Sequence, residues 1–98
     1  MSKIRVAQYG TKHGHADGKL LSMLNHPEVE VVGVYEPDAQ RRAEVANREP
    51  YNQVRWFEDK REMLEDPTIV AIASEGLNSE SLAQSEEIVN AGKHIWYD

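Results

Sequence analysis

Short apolar segments of strand length alternate with helical segments along the whole chain. Strands are predicted at Ile4–Tyr9, Val29–Tyr35, Val54–Phe57, Ile69–Ala73 and His94–Tyr97. Helices are predicted from about His15 to Asn25, after Asp38, after the capping residue Asp59, and from Ser79 to Ala91. The last helix is expected to pack through Leu82, Ser85 and Val89 and to end at Gly92. Strict alternation predicts an α/β fold with a doubly wound parallel sheet in a three-layer α/β/α arrangement. Right-handed crossovers give the five predicted strands the order 3-2-1-4-5, as a C-terminally incomplete sheet.

A glycine-containing turn follows the first strand and leads into the first helix. Residues 10–15 read Gly-Thr-Lys-His-Gly-His. The dinucleotide fingerprint is G-x-G-x-x-G, and here only Gly10 is in register, because Lys12 and His15 occupy the second and third glycine positions. The Lys12 ammonium could pair with a phosphate, or its bulk could displace a cofactor. The same residues also fit a strand-to-helix turn that binds no ligand.

An acidic residue ends the second strand, which is the position that contacts a ribose in dinucleotide sites. Glu36 lies 22 residues after Gly14. A carboxylate there favours a free 2′-hydroxyl and repels a 2′-phosphate, so it favours NAD over NADP. Arg41 and Arg42 follow, and either could stack on adenine or weaken that preference. Alternatively, Glu36 is simply an acid favoured at a helix start.

The strand order predicts where a ligand would bind. In open α/β sheets the site lies beyond the carboxyl ends of the strands, at the point where the order reverses. Here that point lies between the ends of the first and fourth predicted strands. The residues expected to converge on it are Tyr9, Gly10, Thr11, Glu36, Ser74, Glu75 and Gly76.

Composition excludes several classes of function. Asp and Glu outnumber Lys and Arg by 17 to 11 in 98 residues, so a broad nucleic-acid surface is not expected. The chain has no Cys, and the His13-Gly14-His15 pair has no further ligands at metal-site spacing, so no metal site is predicted. No apolar run approaches the roughly 20 residues of a membrane helix. We expect a cytoplasmic protein that binds no membrane.

Several segments together resemble one enzyme family. They are Asp66-Pro67-Thr68-Ile69-Val70-Ala71-Ile72-Ala73, Asn78, Ala91-Gly92-Lys93-His94-Ile95, His26-Pro27-Glu28-Val29-Glu30-Val31-Val32-Gly33-Val34 and Glu36-Pro37-Asp38. The set resembles the glucose–fructose oxidoreductase / inositol dehydrogenase / MocA (Gfo/Idh/MocA) group of NAD(P)-dependent oxidoreductases, over nearly the whole chain. The resemblance implies that residues 1–98 form an NAD(P)-binding Rossmann domain. It also implies a second α/β substrate domain, homo-oligomers built through that domain, and hydride transfer to or from a sugar- or polyol-like substrate.

The resemblance assigns roles to individual residues. It places the pyrophosphate on the backbone of Gly10, Thr11, Lys12 and His13, the adenosine ribose on Glu36, and the adenine near Arg41. Asn78 matches the asparagine of the family's T-P-N motif, whereas Gly76, Leu77 and Ser81 depart from the pattern and Glu75 replaces a small residue. Asp98 aligns with the glutamate of the E-K-P motif, so the motif's lysine would follow Asp98. No catalytic residue is therefore expected within the chain, which should bind dinucleotide without turnover.

Two other functions are compatible with the sequence. The departures from the family pattern would suit a non-catalytic dinucleotide-binding or sensing module with a degenerate site. A methyltransferase also uses a glycine loop and an acid after the second strand, but the fourth predicted strand and Gly92-Lys93-His94 fit it poorly.

Overall fold

A four-stranded parallel sheet forms the centre of the computed structural model, which describes residues 3–97. The strands are β1 (Ile4–Tyr9), β2 (Val29–Tyr35), β3 (Ala71–Ser74) and β4 (His94–Tyr97). The helices are α1 (Ala16–Asn25), α2 (Ala39–Val45), α3 (Lys60–Leu64) and α4 (Asn78–Asn90), with a 3₁₀ turn at Tyr51–Gln53. The strand order is β2-β1-β3-β4, and every pairing is parallel. The predicted α/β class and its parallel sheet are confirmed.

Two hydrophobic cores lie on opposite faces of the sheet and define the three layers. Helices α1 and α2 cover the first core, whose buried residues are Val6, Leu20, Met23, Val34, Val45, Tyr51 and Ala73. Helices α3 and α4 cover the second, whose buried residues are Ala7, Tyr9, Val32, Phe57, Met63, Ile69, Ile72 and Ile88. Alternate residues of β1 belong to alternate cores, as expected for a strand that is buried on both faces.

The third predicted strand is reduced to a single bridge. Val34 of β2 pairs with Trp56, and two backbone hydrogen bonds of 2.9 Å join Val34 to Arg55 and Phe57. The segment lies on the outer edge of β2, in the predicted third position, but it is too short to form a ladder. It follows directly on the 3₁₀ turn and leads at once into Asp59, which caps α3 in a capping box with Glu62.

Helix α4 packs through a different stripe from the predicted one. Among the α4 residues whose burial is described, Ser81, Gln84 and Ile88 are buried, whereas Leu82 and Val89 are 69% and 58% exposed. The predicted end of the helix is confirmed, because Gly92 follows it with φ +78°. Among residues 3–97, no helix has both the length and the hydropathy needed to cross a bilayer.

Candidate functional site

The candidate site lies at the carboxyl edge of the sheet, where β1 and β3 lead to helices on opposite faces. Gly10 follows β1 with φ +91°, in the left-handed region that favours glycine. Its N–H donates to the carbonyl of Tyr35 at 2.7 Å. A Cβ at Gly10 would lie 2.8 Å from the backbone nitrogen of Gly76, so the loops after β1 and β3 pack backbone against backbone. Both the backbone angle and the available space therefore require glycine at this position.

Two backbone donors of the turn at residues 10–14 have no acceptor among the described residues. The His13 N–H donates to the carbonyl of Glu75 at 2.9 Å and ties the turn to the end of β3. Within residues 3–97, the N–H groups of Lys12 and Gly14 donate to no protein acceptor. Both lie just before the first turn of α1, where backbone donors and the helix dipole favour an anion. This arrangement suits a phosphate group.

Glu36 and Arg41 lie side by side against the turn. Glu36 is 6% exposed, and its Oε1 accepts hydrogen bonds from Thr11 N at 2.8 Å and from Thr11 Oγ1 at 2.6 Å. Its Oε2 accepts from the backbone N–H of Asp38 at 3.0 Å. Arg41 donates from Nε to Thr11 Oγ1 at 3.2 Å and from Nη2 to the Thr11 carbonyl at 3.0 Å. The predicted ribose acid and the predicted adenine-side arginine thus both contact the same turn residue.

The Lys12 side chain bridges the two helix layers at the edge of the sheet. Its Nζ lies 2.9 Å from Oδ2 of Asp38, which caps α2, and 3.9 Å from Oε2 of Glu80 in the first turn of α4. The hydrogen bond with Asp38 raises the pKa of Lys12 and lowers the pKa of Asp38. A phosphate that approached the turn would therefore meet an ammonium group already paired with a carboxylate.

Ser74 and Gly76 lie at the end of β3 but contact α4. The Ser74 hydroxyl accepts from the Ser85 hydroxyl at 3.3 Å. A Cβ at Gly76 would lie 2.5 Å from the side chain of Gln84. These two predicted site positions consequently hold the loop after β3 close to α4.

Glu75 forms a buried ion pair that the sequence analysis missed. Its Oε2 accepts from Lys19 Nζ at 2.8 Å, and the two side chains are 0% and 6% exposed. The Lys19 ammonium also lies 4.8 Å from the ring centroid of Trp96. The available signal was Glu75 itself, because a carboxylate directly after a buried strand needs a cationic partner. Nothing in the local pattern of α1 identifies Lys19 as that partner.

The remaining predicted positions add little to the geometry. Asn78 is the first residue of α4, and Asp98 lies outside the described residues. The rings of His13 and His15 have centroids 5.2 Å apart. In the part of the chain that the structure describes, no group of three or more His, Asp or Glu residues could hold a metal ion.

An open groove of about 460 Å³ adjoins the turn on the α1 side of the sheet. Trp96 of β4, which is 47% exposed, forms one wall. The other lining residues are Gly14, His15, Gly18, Lys19 and Ser22. The groove shares Gly14 and His15 with the turn, so a ligand at the turn has space beside it.

Solved structures share this fold at low sequence identity. An NAD-binding protein from Listeria innocua matches with a TM-score of 0.80 and 20% identity, over 99% of this chain and 26% of that chain. Biliverdin reductase from Synechocystis sp. PCC 6803, in complex with biliverdin and NADP+, gives 0.75 and 21% over 96% and 28%. GenD2 from gentamicin A biosynthesis, in complex with NAD, gives 0.79 and 16% over 99% and 27%. No protein-family model and no curated protein sequence matches the chain.

This chain resembles the fold of only one part of each of these longer proteins. The chain spans 26–28% of the length of the three structures, and the sequence identities are between 16% and 21%. At such low sequence identities the comparison shows only that the backbone arrangement is shared. The chain has a Rossmann-like α/β fold.

Proposed function

We propose that the chain is the nucleotide-binding domain of an NAD(P)-dependent oxidoreductase. The observation that carries the proposal is the turn at residues 10–14, which lies at the point where the strand order reverses. Its Lys12 and Gly14 N–H groups are directed to no protein acceptor in the described part of the chain. A pyrophosphate would use such donors at the start of α1. The NAD-binding and NADP-binding proteins of the same fold support this assignment.

The proposed cofactor-binding residues are those of the turn and the other positions that the family resemblance assigns to the cofactor, of which Asp98 lies outside the described residues. They are Gly10, Thr11, Lys12, His13, Gly14, Glu36, Arg41, Ser74, Glu75, Gly76, Asn78 and Asp98. NAD is favoured over NADP, because Glu36 places a carboxylate on the side where a 2′-phosphate would lie. The nicotinamide group would supply the hydride chemistry, and the residues of this chain would bind and orient it.

We also propose that the substrate is sugar- or polyol-like and that a second domain provides its contacts. This chain matches only 26–28% of the length of the solved structures of this fold, which is consistent with further domains in the parent protein. We further propose that the full-length protein is cytoplasmic and forms homo-oligomers. The acid/base residue needed for proton transfer during alcohol oxidation would then lie outside residues 1–98.

Calorimetric titration with NADH and then NADPH tests the proposal. We expect saturable binding with a preference for NADH, weakened by Glu36→Ala. Glu30→Ala is the matched control, because Glu30 is an exposed acid near the amino end of β2, whereas Glu36 follows the carboxyl end of that strand. If the folded chain bound neither dinucleotide, the proposed function would be wrong.

A non-catalytic dinucleotide-sensing module is the second candidate, and Lys12 is the observation that favours it. Its side chain occupies the second glycine position and is held by Asp38 and Glu80 beside the turn. Lys12→Gly would restore the fingerprint glycine. If Lys12 obstructs the cofactor, this variant should bind NADH more tightly. If the Lys12 ammonium pairs with phosphate, it should bind NADH more weakly and with a smaller dependence on salt.

A further inference from the structure

Thr11 is the second residue of the turn at residues 10–14. Its side chain is fully buried, and its N–H and hydroxyl both donate to Oε1 of Glu36. The same hydroxyl accepts from Nε of Arg41, while the Thr11 carbonyl accepts from Nη2 of Arg41. Every polar group of Thr11 is therefore bonded to one of two charged side chains, and hydrogen bonds to charged groups are the stronger kind.

Glu36 has little capacity left for a ribose. Oε1 already accepts two hydrogen bonds, and Oε2 accepts one from the N–H of Asp38. A ribose diol that engaged both oxygens would have to displace one of the two Thr11 donors from Oε1 and leave that buried donor without a partner. An unpaired buried donor costs a factor of roughly 5 to 150 in an equilibrium constant, which would cancel the gain from the new hydrogen bonds.

We propose that Glu36 and Arg41 are positioning residues that hold Thr11, and through it the conformation of the turn that binds pyrophosphate. The inference rests on the proposed function and deepens it. Glu36 and Arg41 belong to the cofactor site because they fix the turn next to the Lys12 and Gly14 N–H groups. Glu36 therefore acts on the ribose through the turn and not by hydrogen bonds of its own.

Two diphosphate ligands separate positioning from ribose recognition. ADP and 2′,3′-dideoxy-ADP carry the same diphosphate and the same base, and they differ only in the ribose hydroxyls. The dissociation constants of both are measured by NMR titration for the wild-type chain and for Glu36→Gln. A positioning residue weakens both ligands by the same factor, which we expect to be about tenfold. A residue that reads the ribose weakens ADP alone, and that result would overturn the inference.

Thr11 provides a second and independent variant. Because its side chain is fully buried, Thr11→Val removes the hydroxyl without removing a group that a ligand could contact. We expect Thr11→Val to weaken both ligands about as much as Glu36→Gln does, and Thr11→Ser to restore binding. Unchanged affinity in Thr11→Val would contradict the proposed role. Glu30→Gln, near the amino end of β2, controls for the loss of an acidic side chain.

The wild-type chain gives a test that requires no variant to fold. Amide hydrogen exchange of Thr11 should stay as slow, or become slower, when ADP binds, since the bond to Glu36 persists. Faster exchange on binding would mean that Glu36 leaves Thr11 for the ribose, and the inference would be wrong while dinucleotide binding stood. A folded wild-type chain that binds neither ADP nor NADH would instead overturn the proposed function, and this inference with it.

Discussion

Replacement of Gly10 by alanine should destabilise the protein, whereas the same replacement at Gly18 should stabilise it. Gly10 has φ +91°, and a new Cβ would lie 2.8 Å from Gly76 N and 3.1 Å from the carbonyl carbon of Glu75. The contacts are with backbone atoms, which cannot move aside as a flexible side chain could. The turn would have to change its conformation or separate from the loop after β3.

The expected change in the free energy of unfolding combines two destabilising contributions and one stabilising contribution. A left-handed backbone angle costs an L-residue about 1–2 kcal/mol. Overpacking a rigid site costs about 1–3 kcal/mol. The lower entropy of the unfolded chain with alanine returns roughly 0.4–1 kcal/mol. We therefore expect Gly10→Ala to lower the free energy of unfolding by about 1–4.5 kcal/mol, which is large beside the roughly 5–15 kcal/mol available to a small domain.

Gly18→Ala is the matched control and should act in the opposite direction. Gly18 lies inside α1, and a Cβ there would meet no atom within 4 Å. Alanine is the better helix former, so the substitution should stabilise the protein by about 0.5–1 kcal/mol. The same chemical change would thus have opposite signs eight residues apart.

Urea denaturation followed by circular dichroism measures both variants. The midpoint should fall for Gly10→Ala and rise for Gly18→Ala, with unchanged slopes if only the native state is affected. A Gly10→Ala midpoint that indicated less than about 0.5 kcal/mol of destabilisation would show that the turn tolerates a side chain, and the reasoning from its geometry would fail.

Two further predictions concern ionisable groups. Lys19→Met and Glu75→Gln should each lower the free energy of unfolding by about 3–5 kcal/mol, because each substitution removes one member of a buried ion pair and leaves the other. The double variant should lower it by less than the sum of the two single effects. Additive effects in urea unfolding would contradict this prediction. The hydrogen bonds from Thr68 lower the pKa of Asp66 below its usual 3.8. The free energy that these bonds contribute is fully present above that unfolded value and is lost as the pH falls through the lower folded pKa. Asp66→Asn should therefore reduce the loss of stability between about pH 5 and pH 2 in urea unfolding, and an unchanged pH dependence would argue against the Asp66 contacts.

The sequence determined the fold because its signals act over a few residues. Apolar strand segments, the cap at Asp59 and the glycine after α4 each depend on local periodicity or backbone geometry, and all three were predicted. Local signals were less decisive where two patterns competed. The helical period is compatible with two buried stripes on α4, one that contains Leu82 and Val89 and another that contains Ser81 and Ile88. Only the position of α4 on the sheet selects the second stripe.

The tertiary structure decided which side chains meet at the site. The sequence placed Gly10, Thr11 and Glu36 at one edge of the sheet, because the ends of parallel strands coincide there. It did not show that Glu36 bonds to Thr11 across 25 residues, or that Glu75 pairs with Lys19 across 56. Such pairings depend on distances set by the packing of α1 and α2 against the sheet, and no local pattern in the chain encodes them.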